Sequence, residues 1–136
     1  MLNQIPDSTL RILDANLNRL REGIRVIEDI LRYGFNHKDF ALQLKNLRHR
    51  CKINNFESLL HSRDSQNDVL KPSTKQEQNR ANLKSIVVAN FKRAQESARV
   101  LEEILKLSEV SKSEEFKEIR YTLYVLEKEI LEKFSF

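Results

Sequence analysis

One stretch of this chain occurs twice. ANLNRLREGIRVIEDILR, residues 15–32, returns as ANFKRAQESARVLEEILK, residues 89–106, without a gap and at a constant offset of 74 positions. The identities are Ala15/Ala89, Asn16/Asn90, Arg19/Arg93, Glu22/Glu96, Arg25/Arg99, Val26/Val100, Glu28/Glu102, Ile30/Ile104 and Leu31/Leu105. Two amphipathic helices share an apolar rhythm easily, but they rarely share a polar series of the form N-x-x-R-x-x-E-x-x-R-V-x-E. The chain is a duplicated unit, and that limits its architecture before any single residue is interpreted.

The repeated segments are helical. Apolar residues recur at Leu10, Leu13, Leu17, Leu20, Ile24, Ile27 and Leu31, the spacing of one helix face. Two glycines and two prolines in 136 residues leave little material for a turn-rich β fold. Pro6-Asp7-Ser8 reads as the helix start, with Asp14 as an alternative cap, and Gly34 and Asn36 close the helix. A second helix carries Phe40, Leu44, Leu47 and Cys51 and frays near residues 52–55, and Phe56 to Leu60 forms an extra turn. The third helix resumes near Leu83, and the spacing Ser111-Lys-Ser-Glu114 predicts a capping box that starts the fourth, through Phe116, Ile119, Leu123, Leu126 and Ile130. The expected fold is all-α, a four-helix-type bundle built from two repeated hairpins. One domain over 1–136 is expected, with repeat one at about 8–61, a polar connecting loop at about 62–79 and repeat two at about 80–136.

At about 100° per residue, with Leu17 at zero, the apolar arc spans roughly +20° to −80°. Asn16 falls near −100°, Arg19 near −160° and Glu28 near +20°, so these three sit among or beside residues expected to be buried. Glu22 and Arg25 lie further out, and the same bearings hold for the second repeat. A buried ion needs a mate, a ligand or water. Arg19 with Glu22 and Arg25 with Glu28 stand at i, i+3 and serve equally well as surface pairs, while buried Asn and Arg also fix helix register. The other reading is a polar pocket between the repeat helices, with guanidinium forks for phosphate and carboxylates for a metal. Gly23, matched by the small Ser97, fits close approach at that level.

In the loop, Arg63, Asp64 and Asp68 are candidates, because two carboxylates four apart reach one Mg²⁺. A solvated linker is the alternative there. Arg48 and Arg120 each follow an apolar residue in the partner helices and align as weaker repeat equivalents. The histidines His37, His49 and His61 lack ligand spacing, and no Gly-rich phosphate loop is present. The basic run Lys45 to Lys52 lacks aromatic interleaving, so no nucleic acid is expected as a partner. A net charge of +4, from 24 basic against 20 acidic residues, permits an anionic ligand without demanding one. A single cysteine and the absence of a long apolar run predict a cytoplasmic chain with no membrane span.

The segments ILDANLNRLREGIRVIEDILRYG, SRDSQNDV, ANFKRAQESARVLEEILK and IRYTLYVLE together resemble the small all-helical hydroxymethylpyrimidine-phosphate kinase family. Members stand alone or are fused ahead of thiamine-phosphate synthase, and no synthase barrel is present here. The resemblance implies a phosphomethylpyrimidine kinase of thiamine biosynthesis, converting hydroxymethylpyrimidine phosphate to its diphosphate with ATP and Mg²⁺. Under it, Arg19, Arg25, Arg93 and Arg99 with Glu22 and Glu96 are the expected catalytic residues. Asn16, Asn90, Arg63, Arg48 and Arg120 are the expected substrate and nucleotide contacts, and Asp64, Asp68, Glu28 and Glu102 the expected metal ligands. The competing reading is a non-catalytic helical module that binds a phosphorylated pyrimidine or docks to thiamine-phosphate synthase. A second copy of the chain is the other candidate protein partner.

Overall fold

A computed structural model describes residues 5–136; the first four residues of the expected domain lie outside it. The chain is an all-helical bundle, and no strand occurs among the described residues. Its elements are α1 (Asp7–Asp29), α2 (Lys38–Arg50), α3 (Phe56–Ser62), a short α4 (Lys75–Gln78), α5 (Leu83–Leu105) and α6 (Val110–Lys133). None of these helices is long and apolar enough to cross a membrane.

The two copies of the repeat, α1 and α5, form the central pair. Gly23 of α1 faces Asn90 and Ala94 of α5, whereas Asn16 shares a cavity with Ser97 and Val100. Early residues of one helix therefore meet late residues of the other, and the pair is antiparallel. Each copy then packs its own hairpin partner, α2 against α1 and α6 against α5. Leu13, Leu20, Ile24, Phe91, Leu101 and Leu123 are fully buried between these layers, as the apolar spacing predicts.

The helix ends follow local chemistry. α1 starts at Asp7 behind Pro6, so Asp14 is interior and caps nothing. A π turn, Ile30–Gly34, ends α1, and the reversal rests on Asn36 in the left-handed region at φ 51°. His37 then caps α2, its Nδ1 accepting from the Phe40 N–H at 3.2 Å. α5 starts with a reciprocal capping box of Asn82 and Ser85. The capping box expected at Ser111 does not form: α6 begins at Val110 with no side-chain cap. Ser113 is drawn inward instead, and its hydroxyl donates to the Glu102 carbonyl at 2.7 Å.

The repeats differ in their second helices. α6 runs unbroken for 24 residues, while the matching part of repeat one is split into α2 and α3 by residues 51–55. Asn55 is left-handed there, at φ 71°, and α3 folds back onto α1.

The seam at Gly23 is tight, since a Cβ at that position would lie 3.1 Å from the Asn90 carbonyl oxygen and 3.4 Å from the Ala94 Cβ. Gly23→Val is expected to push α1 and α5 apart and cost about 2 kcal/mol in urea unfolding, the usual penalty of overpacking. An unchanged midpoint would show that the seam is loose.

Candidate functional site

Two adjoining cavities follow the α1/α5 seam. The first, about 520 Å³, is bounded by α1 and by the segment after α3. Asn16, Arg19 and Glu22 line it from α1, and Arg63, Asp64 and Asp68 line it from the loop. The second, about 370 Å³, lies between α1 and α5 and receives Arg93, Glu96, Lys92 and Ser97. Asn16 and Arg19 border both, so the cavities form one groove.

The loop is held over α1 by side chains. Arg63 Nε and Nη2 donate to the two oxygens of the buried Asp14 carboxylate, each at 2.8 Å. That hydrogen bonding raises the Arg63 pKa above its ordinary value against an opposing effect of burial. Arg11 Nη2 donates to the Asp64 carbonyl at 2.8 Å and fixes the next residue. Asp64 accepts from the Asn67 amide at 2.9 Å, and Asp68 accepts from the Leu70 N–H at 3.0 Å. The segment that the sequence reads as a polar linker is thus tied to the helix carrying Asn16 and Arg19.

Asn16 is buried and its amide donates to the Ile12 carbonyl at 2.9 Å, leaving Oδ1 and one N–H free of partners among the described residues. Asn90 repeats the same back-bond, to Ile86 at 2.8 Å, but lies outside the two cavities. Arg19 and Arg93, placed beside the buried arc by the helical wheel, are in fact exposed at the groove rim. Long side chains on the edge of a helix face reach water, which is the physical reason for the difference. Neither arginine belongs to an ion pair among the described residues.

Other members of the repeated series act elsewhere. Glu28 is 1% exposed and accepts from Arg48 Nε at 2.8 Å and Nη2 at 3.3 Å. Glu102, equally buried, accepts from Arg120 Nη2 at 3.1 and 3.2 Å and also pairs with Arg99. Arg48 and Arg120 thus play the same role, although they stand 72 rather than 74 positions apart, and each pair ties a long helix to its hairpin partner. Arg25 pairs on the surface with Asp29 at 3.1 Å rather than with Glu28, and Arg99 reaches Glu103 at 3.0 Å. So the structure brings Asn16, Arg19, Glu22, Arg63, Asp64, Asp68, Arg93 and Glu96 to one groove. It separates Arg25, Arg99, Arg48, Arg120, Glu28, Glu102 and Asn90 from it. The four expected metal ligands are not together, and no group of three or more metal-binding side chains occurs among the described residues.

Asp14 and Arg11 are the groove residues that sequence reasoning missed. Asp14 lies close to the apolar arc, so its burial was readable from the helical wheel. Its counterpart in repeat two is Val88, and a search for shared polar residues passes over it.

An all-helical duplicated chain with an arginine-lined groove at its repeat seam has known relatives. Residues 11–129 match the ThiD2 family, and the chain belongs to that family. It is 40% identical over 132 residues to a thiamine-phosphate synthase of Nostoc punctiforme, covering 94% of this chain and 37% of that one. Similar matches are the thiamine-phosphate synthases of Prochlorococcus marinus subsp. pastoris, 41% identical over 89% of this chain and 35% of the relative, and of Thermosynechococcus vestitus, 41% over 86% and 34%. The chain spans about a third of the length of these relatives. No solved structure matches it. The expected assignment as a phosphomethylpyrimidine kinase is corrected by these matches, because the relatives are named for a synthase, a different enzyme.

The buried pairs make a pH-dependent prediction. Burial pushes the Glu102 carboxyl up, but hydrogen bonds from Arg120 and Arg99 outweigh it and hold the carboxyl below its usual range. Its stabilising contribution is complete above the unfolded pKa and disappears as pH falls through the lowered folded value. Glu102→Gln should cost about 3 kcal/mol in urea at neutral pH, since Arg120 loses its buried anion. The gap between the two proteins should narrow as pH falls below the ordinary glutamate value of about 4.3 and close below the lowered folded value. A gap that persists there would mean the loss is one of packing.

Proposed function

We propose that this chain is a helical domain of thiamine biosynthesis that binds a phosphorylated pyrimidine in the groove between its repeats. The observation that carries the reading is the convergence of Arg19 and Arg93, one from each repeat and neither ion-paired among the described residues, on a single groove. Guanidinium groups free of carboxylates are suited to the oxygens of a phosphate. Arg63 adds a third guanidinium at the loop side. Buried Asn16, with an acceptor and a donor free among the described residues, matches the mixed donor and acceptor edge of an aminopyrimidine.

Asp64 and Asp68 fit Mg²⁺ at the loop side of the cavity, because that ion takes one or two protein carboxylates beside substrate phosphate oxygens. Arg63 and Arg19 would hold and orient the phosphate there. A thiamine-phosphate synthase is the proposed protein partner, since the matched segment is part of a longer chain of that name in the relatives.

Calorimetric titration with hydroxymethylpyrimidine phosphate, with and without Mg²⁺, tests the reading. Saturable binding is expected, and Arg19→Ala and Arg93→Ala should each weaken it about tenfold, the worth of one charge-assisted hydrogen bond. The helical circular dichroism of both variants should stay unchanged. A parallel arm contains ATP and Mg²⁺ with ADP release as the readout, and no release is expected. ADP release would overturn the non-catalytic reading, and absence of binding would overturn the ligand.

A further inference from the structure

A duplicated chain with two equivalent helices would be expected to carry two equivalent sites. We infer that it carries one, and that Asp14 is the positioning residue that creates it by aligning Arg63 toward the ligand. The inference rests on the phosphorylated-pyrimidine reading above and adds the site's stoichiometry and the source of its asymmetry.

The first observation is the broken helix of repeat one. Between α2 and α3 the chain turns at left-handed Asn55, and α3 folds back against α1. Arg63, immediately after α3, thereby comes to rest over Asp14 on the first turns of α1. In repeat two the residues matching the 51–55 break at the same offset, 125–129, lie inside the single helix α6, so the chain makes no such turn there. The second observation is the residue pair itself. Asp14 is 5% exposed, and its repeat counterpart is Val88, which has no charge to hold a guanidinium.

The geometry of the pair shows what it does. The two Asp14 oxygens take the Nε and Nη2 hydrogens along one edge of the Arg63 guanidinium. The other edge keeps two Nη1 hydrogens and one Nη2 hydrogen, and Arg63 lines the cavity that Arg19 and Asn16 also line. A long side chain in an otherwise solvated loop is thus held in one orientation with a fork of donors free for phosphate oxygens. Preorganisation of this kind raises affinity by removing the rotamer freedom that binding would otherwise have to freeze. Both Asp14 oxygens are taken by Arg63, so the effect of Asp14 on binding is expected to pass through Arg63.

Calorimetry of the full chain with hydroxymethylpyrimidine phosphate decides the matter. One equivalent is expected at saturation. Asp14→Asn and Arg63→Ala should each weaken binding about tenfold, and the double variant should be no weaker than the worse single change, because both remove the same aligned fork. Thermal melts followed by circular dichroism establish that each variant is folded at the titration temperature. Arg63→Ala, in the exposed loop, keeps the test available if Asp14→Asn is unstable. Two equivalents of similar affinity, or unchanged binding by folded Asp14→Asn, would overturn the inference while leaving the function standing. Losses that multiply in the double variant would also overturn it, since Asp14 would then act independently of Arg63. Failure of the native chain to bind would instead remove the function itself.

Discussion

The close approach of α1 and α5 is the contact on which everything else depends. Gly23 brings the helix surface to the Asn90 carbonyl and Ala94 without an intervening side chain. Small buried residues along α5, Ala94, Ser97 and Ala98, let two long helices pack closely. Because the pair is antiparallel, the contact sets Arg19 beside Arg93 and Asn16 beside Ser97. The groove is a by-product of that register. Moving the helices apart would lose both the core and the convergence of the guanidinium groups.

The duplicated polar series serves two purposes that look alike in sequence. Glu28 and Glu102 each anchor a hairpin through a buried arginine, Arg48 or Arg120. Arg19 and Arg93 remain at the groove rim without such partners among the described residues. The buried pairs place opposite charges where low dielectric strengthens their attraction, and in each pair the carboxylate accepts from the arginine. Identity between repeats therefore marks architecture as much as recognition. What departs from the repeat, Asp14 opposite Val88 and the break between α2 and α3, gives the groove its one-sided loop.

Helical spacing, the repeat and the scarcity of glycine and proline determined by themselves that the chain is an all-helical pair of hairpins, because burial of an apolar face has a fixed period along the chain. They also put Glu28 and Glu102 among or beside the residues expected to be buried, with surface pairing to Arg25 and Arg99 as the alternative. Tertiary structure alone decided which cations hold them from the partner helices, since Arg48 and Arg120 lie 20 and 18 residues away on other helices. It also decided that Ser113 bonds inward rather than capping its helix, and that Arg63 reaches back 49 residues to Asp14. Periodicity states which side of a helix is buried but not what it is buried against. Only the packed bundle settles that, because each ion pair depends on a distance between segments remote in sequence.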